Sequence, residues 1–392
     1  MVDIVGVATV GIAAVASLFM AWAIGAGSSG STPFAPAVGA NAVSVMRAGF
    51  LVGILGLAGA VLQGANVSEA VGKELVVGTT LTPVAATTAL LTAAVLVAAG
   101  VYTGYPIATA FTVTGAVVGT GLALGGLPNW AKYRQITALW VLVPFVGGGA
   151  AYATAVLLRR ANADRLTVPL LGGVIGAILA NVEFVFLGPP GVGRSLAAAV
   201  VAAADVAPLA GTAAVSGALA AAAAAALYWD VGRDAEGGQR RFLLALGALV
   251  AFSAGGSQVG LAVGPLLPLV GEEVDIVYVL LGGGVGLLAG SWTGAPRMIK
   301  ALSQDYSSLG PRRSIAALIP SFAIAQAAVF FGIPVSFNEI IVSAIVGSGY
   351  AAGSGGVSRR KMAYTVLAWV ASLAVALAAG YGVFAAIRLL SG

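Results

Sequence analysis

The 392-residue chain contains no cysteine and no histidine. Their absence excludes disulfide scaffolds, thiol nucleophiles, imidazole bases and the usual zinc and haem ligands, so no cofactor is expected. Charge is scarce as well: 8% of the residues are Asp, Glu, Lys or Arg, where an ordinary soluble domain carries about a quarter. There is no phosphate-binding loop of the form Gly-x-x-x-x-Gly-Lys-Ser/Thr, so the chain does not hydrolyse ATP itself. Any energy it uses comes from an ion gradient or from the gradient of its own substrate.

What remains is strongly apolar, at 59% hydrophobic residues and a mean hydropathy of +1.02. The apolar residues fall into blocks at 3 to 26, 48 to 66, 84 to 104, 106 to 126, 136 to 158, 167 to 187, 196 to 229, 242 to 270, 274 to 294, 314 to 332, 334 to 357 and 362 to 387. The block from 196 to 229 reads as one long segment or two short ones. Most blocks approach the ~20 residues that a helix needs to cross a ~30 Å hydrocarbon core. The expected fold is an all-α polytopic protein of the cell membrane, with about 10–12 membrane segments and the lipid bilayer as its solvent. An outer-membrane barrel would show short alternating segments instead. The first 26 residues lack a basic start, open with Asp3 and run too long for a signal peptide, so they read as the first segment. The sequence pI of 9.6 is not a nucleic-acid signature, because all nineteen Lys and Arg lie in or beside loops between apolar blocks.

Sliding the chain against itself reveals a repeat. Gly27, Ser28, Ser29 and Pro36 meet Gly256, Ser257, Gln258 and Pro265 at an offset of 229. At an offset of 228, Gly104, Pro106, Ala116, Val118, Gly119, Gly121 and Ala123 meet identical residues, Gly332 to Ala351. The expected plan is a first repeat over 1–166 with a hairpin at 84–126, middle helices and a charged linker over 167–241, and a second repeat over 242–392 with a hairpin at 314–357. If both hairpins are re-entrant and return to their own side, 14 basic residues collect on one face of the membrane and five (Lys73, Lys132, Arg134, Arg194 and Arg388) on the other. That asymmetry favours an inverted repeat with the basic-rich face in the cytoplasm. Crossed hairpins of this kind are how an inverted-repeat secondary transporter builds a midplane site.

Polar sequence interrupts the apolar blocks at matching places in both halves: around Ser28 and Ser29, around Ser257 and Gln258, after Pro106 and after Pro334. Non-helical backbone at membrane depth is tolerated only where protein or a wet cavity satisfies it. A helix restarting after either proline presents free N–H groups and a positive dipole end, which suits an oxyanion. Thr109, Thr112, Ser336 and Asn338 fall in those first turns and can add donors, with Ser28 and Ser257 beside them. The competing use of such hydroxyls is a bond back to the preceding turn. Three acids, Glu183, Asp205 and Glu339, sit well inside apolar blocks. An intramembrane carboxylate is a functional candidate by default, and Glu339 lies in a hairpin, where a protonatable group can titrate with substrate arrival. For Glu183 and Asp205, in the middle region, helix packing or an interfacial role is expected. The run Ala220 to Ala226 reads as close helix packing.

The chain resembles the inorganic phosphate transporter (PiT) family. The family's hairpin motif, Pro-Val-Ser-Thr-Thr-His before a Gly-rich helix, is similar to Pro334-Val335-Ser336-Phe337-Asn338-Glu339 with Gly347 and Gly349. It is more loosely similar to Pro106-Ile107-Ala108-Thr109-Ala110-Phe111 with Gly115, Gly119 and Gly121. Its Gly-Ala-Asn-Asp-Val-Ala-Asn motif followed by Ala-Ile-Gly-Pro-Leu resembles Gly255 to Leu261 with Ala262 to Leu266, and Trp140 and Trp369 after the two hairpins also resemble it. The resemblance implies ion-coupled phosphate transport without an enzymatic step, and a homodimer. The family's Asn-Asp pairs, implied to hold the coupling Na⁺, read Ser28-Ser29 and Ser257-Gln258 here, and its hairpin His is replaced by Phe111 and Glu339. A hard cation prefers anionic or carbonyl oxygens, so a proton is expected over sodium as the coupling ion, with Glu339, Ser29 and Gln258 as the coupling residues. A permease for sulfate or another tetrahedral oxyanion is the alternative on the same fold. A non-transporting membrane protein or a lipid-acting membrane enzyme is the alternative of another class.

Overall fold

Uncharged runs of Ala, Val, Leu and Gly fold as helices here because backbone removed from water must satisfy its own N–H and C=O groups. The computed structural model describes residues 4–160, 163–188, 193–270, 274–304, 306, 309–351, 353 and 358–391. Asp3 and residues 354–357, at the ends of two expected segments, lie outside them. α1 (Ile4–Ile24) runs into a π-helical turn (Gly25–Ser29) and is followed by α2 (Ala35–Gly39), α3 (Val45–Gln63), α4 (Ala65–Lys73), α5 (Pro83–Thr103), α6 (Thr109–Ala123) and α7 (Trp130–Leu157). Next come α8 (Val168–Ala180), α9 (Leu196–Ala204) and α10 (Pro208–Arg233). The chain continues through α11 (Ala235–Val263), α12 (Leu267–Val270), α13 (Ile276–Thr293), α14 (Ala295–Gln304), α15 (Pro311–Phe330), α16 (Phe337–Tyr350) and α17 (Arg359–Ser391). Nine helices among the described residues are long and apolar enough to cross a membrane. The protein is a multi-pass membrane protein.

The ends of two helix pairs decide the architecture. Before α5 and after α6, β1 (Val76–Val77) and β2 (Leu127–Pro128) pair antiparallel, with Val76 opposite Pro128. The counterpart lies 230 residues on, where the Ser358 N–H, just before α17, donates to the carbonyl of Tyr306 ahead of α15 at 3.3 Å. Each pair therefore starts and ends at the same end of the bundle. Gly104 and Gly332 terminate the first arms with φ of +73° and +57°, a left-handed conformation that glycine adopts without a Cβ clash. The two pairs point in opposite directions. Lys132, just past β2 at the base of the first pair, donates to the carbonyl of Gly332 at the tip of the second at 3.2 Å. Lys361, just past Ser358 at the base of the second, lies 4.9 Å above the ring of Tyr105 at the tip of the first.

The hairpins are asymmetric in a way the sequence did not foretell. Their first arms, α5 and α15, have 21 and 20 residues, about 30 Å at 1.5 Å per residue and so long enough for a full crossing. Their second arms, α6 and α16, have only 15 and 14. Four non-helical residues, 105–108 and 333–336, separate the arms, the last of each in extended conformation.

Three expectations about the middle region are corrected. The charged stretch 230 to 241 is helical except at Asp234, whose carboxylate caps α11 by accepting from Gly237 N–H at 2.9 Å, while Arg241 pairs with Asp230 at 2.7 Å. The block 167 to 187 is not one helix: α8 stops at Ala180, and half-buried Glu183 lies in a short ribbon, β3 (Glu183–Phe184) with β4 (Arg194–Ser195). Asp205, expected well inside an apolar block, is exposed, at φ +50° in the turn between α9 and α10; of the two readings of its segment, one long or two short, the structure has two helices. The alanine run does serve close packing. Gly172, Gly173 and Gly176 of α8 rest against Leu227, Leu219, Ala220 and Ala223 of α10, with no room for a Cβ at Gly176 against the backbone carbonyl of Leu219.

Candidate functional site

Four non-helical or distorted segments converge where the sequence places its polar interruptions. α1 loosens into the π turn, where the Ser28 carbonyl accepts from the N–H groups of Ser31 and Thr32, both at 3.0 Å, and from both of their hydroxyls. Extended backbone at Ala108 and Ser336 starts α6 and α16. α11 passes unbroken alongside, carrying Ser257 and Gln258.

The Gln258 carboxamide binds these pieces together. Its Oε1 accepts from Thr109 Oγ1 at 2.7 Å and from Ser28 Oγ at 3.1 Å, and its Nε2 donates to the carbonyl of Val335. Asn338 makes the crossed connection. Its Nδ2 donates to the carbonyls of Ile107 at 2.7 Å and Gly27 at 3.0 Å. One amide from each side thus fastens the turn of α1, the break before α6 and the break before α16 to one another. Every one of these polar side chains is essentially buried, Gln258, Asn338, Ser28 and Thr109 with no exposed surface at all.

Beside this satisfied network stand polar atoms without partners. Ser29 Oγ, Ser257 Oγ, Ser336 Oγ, Asn338 Oδ1 and Glu339 Oε2 are buried and unbonded, and each belongs to, or adjoins in sequence, a residue of the network. Leaving such groups unmet costs roughly 1–3 kcal/mol apiece; Thr114 Oγ1, Tyr133 Oη and Ser343 Oγ, away from the network, are buried and unbonded as well. Ser336 is the N-cap of α16, yet its hydroxyl caps nothing. The N-cap of α6 is Ala108, which has no side chain able to cap. The first N–H groups of both short arms therefore remain available to an anion. The chemistry offered is a set of hydroxyls and amide groups, two helix N-termini and the single carboxyl of Glu339. Among the described residues, no three of His, Cys, Asp and Glu come together as a metal site.

Of the nine residues singled out from sequence, Ser28, Thr109, Gln258 and Asn338 join in direct hydrogen bonds, and Ser29, Ser257, Ser336 and Glu339 supply the unbonded atoms. Thr112 stands apart, its hydroxyl donating to the carbonyl of Ala108 at 3.0 Å. The sequence reading missed a second buried polar cluster. Gln63 of α3 and Gln326 of α15 face each other amide to amide at 3.2 and 3.3 Å, Gln326 Nε2 also donates to Ser253 Oγ at 2.6 Å, and Gln63 Nε2 donates to the backbone carbonyl of Glu183. The available signal was two amides inside apolar runs. Trp140 and Trp369 carried no assigned role in the sequence, yet their indoles cap the carbonyls of Pro334 and Pro106.

A profile of the phosphate transporter family matches residues 24–380. The chain belongs to the phosphate transporter family. The relatives of this phosphate transporter family member include a protein of Thermococcus kodakarensis provisionally named a phosphate permease, 23% identical over 91% of this chain and 92% of its own. A second is the chloroplastic inorganic phosphate transporter 2-1 of Arabidopsis thaliana, 24% identical over 91% of this chain and 68% of its own. A solved structure titled the sodium-dependent phosphate transporter superimposes with a TM-score of 0.79 at 22% identity, covering 97% of this chain and 99% of that one. Family and fold are those of transporters. They also place the Gly-Ser-Ser turn, Gln258 and the two hairpin breaks within the matched span.

Proposed function

We propose that the protein carries inorganic phosphate across the cell membrane as a secondary transporter and that a proton, taken up by Glu339, is the coupling ion. The observation that supports phosphate is the mixture of unmet groups. Free N–H and O–H donors suit any tetrahedral oxyanion, but Asn338 Oδ1 is an acceptor in want of a hydrogen. Phosphate near neutral pH retains a P–OH that can donate to such an acceptor, whereas sulfate has none. A site built to hydrogen-bond a substrate hydroxyl discriminates strongly against an analogue lacking it.

The preference for a proton rests on the ligand set. Ser28, Ser29, Ser257 and Gln258 give a cation only neutral oxygens, one of which, Gln258 Oε1, already accepts two hydroxyl hydrogens. Glu339 is buried with an unbonded oxygen and is the acid nearest in sequence to the network. We also read residues 1–166 and 242–392 as opposed repeats around this site, with 167–241 as the connecting middle helices. The opposed helix pairs support that arrangement, as do the reciprocal contacts of Lys132 with Gly332 and of its counterpart Lys361 with Tyr105, beside Gly104. Uptake of labelled phosphate and sulfate into proteoliposomes, with Na⁺ and pH gradients imposed separately, tests the whole reading. The expected result is phosphate uptake driven by an inward proton gradient; sulfate taken up equally well, or uptake that requires Na⁺ and ignores pH, would overturn the corresponding half.

A further inference from the structure

The tip of each helix pair is gripped by the base of the other, and the grip has three points in both halves. At the second tip, Asn66 of α4 donates to the carbonyl of Val329 at 3.4 Å, Lys132 of α7 to that of Gly332 at 3.2 Å and Trp140 of α7 to that of Pro334 at 2.9 Å. At the first tip, Arg297 of α14 donates to the carbonyl of Tyr102 at 3.3 Å, Lys361 of α17 lies over the ring of Tyr105, and Trp369 of α17 donates to the carbonyl of Pro106 at 2.8 Å. Lys132 and Trp140 correspond to Lys361 and Trp369 at an offset of 229, and Asn66 corresponds to Arg297 at 231. A short helix before each base and a long one after it thus form the jaws of a clamp, α4 with α7 on the second tip and α14 with α17 on the first.

The jaws of each clamp are tied together at the root. Glu74, which ends α4, holds the Lys132 ammonium at 2.7 Å, and its carbonyl accepts from Asn129 Nδ2 at 2.8 Å. Past the end of α14, the carbonyl of Tyr306 accepts from the Ser358 N–H at 3.3 Å, and the Tyr306 hydroxyl lies 2.7 Å from Thr365 Oγ1 of α17. The two clamps differ in chemistry. Lys132 is a nearly buried cation whose acid is half-exposed, and such a charge stays seated only while it is paired. Lys361 lies instead 4.9 and 5.7 Å from the rings of Tyr105 and Tyr306, a contact of cation with aromatic face. With both clamps closed, Ser28, Thr109, Gln258 and Asn338 have no exposed surface, so an ion of the size of phosphate reaches them from neither end of the bundle.

We propose that the two clamps are the gates of the transport cycle, released one at a time. Release of Val329, Gly332 and Pro334 by α4 and α7 opens the site at the end of the bundle that holds the first base. Release of Tyr102, Tyr105 and Pro106 by α14 and α17 opens it at the other. The gripped residues lead within a few positions to Ser336 and Ala108, the N-caps of α16 and α6, so a tip that leaves its clamp uncovers the first turn of its own short arm. Glu74 sets the strength of one gate by keeping the Lys132 ammonium in place. The inference rests on the transporter fold and is independent of which anion is carried and which ion couples it.

Single cysteines in this cysteine-free chain read each gate separately. Val335→Cys reports on the second tip, and Ile107→Cys, at the matching place, on the first. In detergent, where both ends of the bundle are reachable, the rate of maleimide labelling at each position measures how often that tip opens. Lys132→Met should raise the rate at Val335→Cys at least tenfold and change that at Ile107→Cys less than twofold; Lys361→Met should do the reverse. Glu74→Gln, at a half-exposed position, should act in the same direction as Lys132→Met and carries the test if the buried substitution does not fold. An unchanged rate at Val335→Cys in the Lys132 and Glu74 variants would overturn the proposal, because the contacts would then not hold the tip. An equal rise at both reporters would overturn it as well, because the contacts would then only stabilise the fold as a whole.

Discussion

The indole N–H of Trp140 donates to the carbonyl of Pro334 at 2.9 Å, across 194 residues of sequence. Trp369 repeats the contact with Pro106 at 2.8 Å. In each case the helix after one hairpin caps the break of the other, and the carbonyl it caps precedes an extended segment that cannot satisfy itself within a helix. The Phe111 ring stacks on Trp140 at 3.9 Å between centroids, which holds that indole against the first hairpin while it serves the second. The two halves therefore fix each other's helix starts, and through them the orientation of Thr109 and Ser336.

Removing one indole donor while keeping an aromatic ring isolates this contact. Trp140→Phe leaves the Pro334 carbonyl buried and unbonded, a loss of about 1–3 kcal/mol. A lower melting temperature in detergent, together with weaker phosphate binding, is expected, and Trp369→Phe should behave alike. Unchanged stability in both variants would show that water or a shifted backbone replaces the bond.

Opposed repeats require the two hairpin bases to lie on opposite faces of the membrane. Arg134, exposed near the first base, and Arg359, exposed near the second, report on them. In this cysteine-free chain, Arg134→Cys should react with an impermeant maleimide from one side and Arg359→Cys from the other. Labelling of both from the same side would refute the inverted arrangement.

For the candidate site, Ser336→Ala with Asn338→Ala removes an unbonded hydroxyl and an amide that ties three segments. At roughly 0.5–1.5 kcal/mol per neutral hydrogen bond, and more where a charged anion is left unpaired, phosphate affinity should fall tenfold or more. Thr112→Val is the internal control: its hydroxyl is spent on the Ala108 carbonyl, so binding should change less than threefold. A large effect of Thr112→Val with none from the double variant would place the anion elsewhere.

Coupling is tested by Glu339→Gln, which keeps the shape and deletes the titration. Wild-type uptake should rise as the outside becomes more acidic, because protonation of the carboxyl accompanies binding on that side. The variant should still exchange phosphate for phosphate while losing both the pH dependence and uphill accumulation. Proton-driven accumulation that survives Glu339→Gln assigns the proton to another group.

The sequence by itself determined the class of this protein. The scarcity of charge and the length of the apolar runs leave a helical membrane protein as the physically permitted answer, since only helices and closed barrels satisfy backbone away from water and the runs lack a barrel's short alternating segments. It also pointed to where the buried polar residues converge, because Gly and Pro at matched places in two halves announce broken helices whatever surrounds them. Ser28, Ser29, Thr109, Ser257, Gln258, Ser336, Asn338 and Glu339 were all legible for that reason.

What each hydroxyl or amide does was decided only by tertiary structure. Whether Thr112 bonds back to its own helix or Thr109 reaches Gln258 depends on a rotamer and on a partner 149 residues away, and local sequence carries neither. The same holds for the lengths of the hairpin arms. An apolar run from 84 to 126 is compatible with an even hairpin, and only the folded helix bounds, Pro83–Thr103 against Thr109–Ala123, show one long arm and one short. Asp205 and Glu183 looked intramembrane because hydropathy averages over a window, whereas a single left-handed residue or a two-residue ribbon ends a helix.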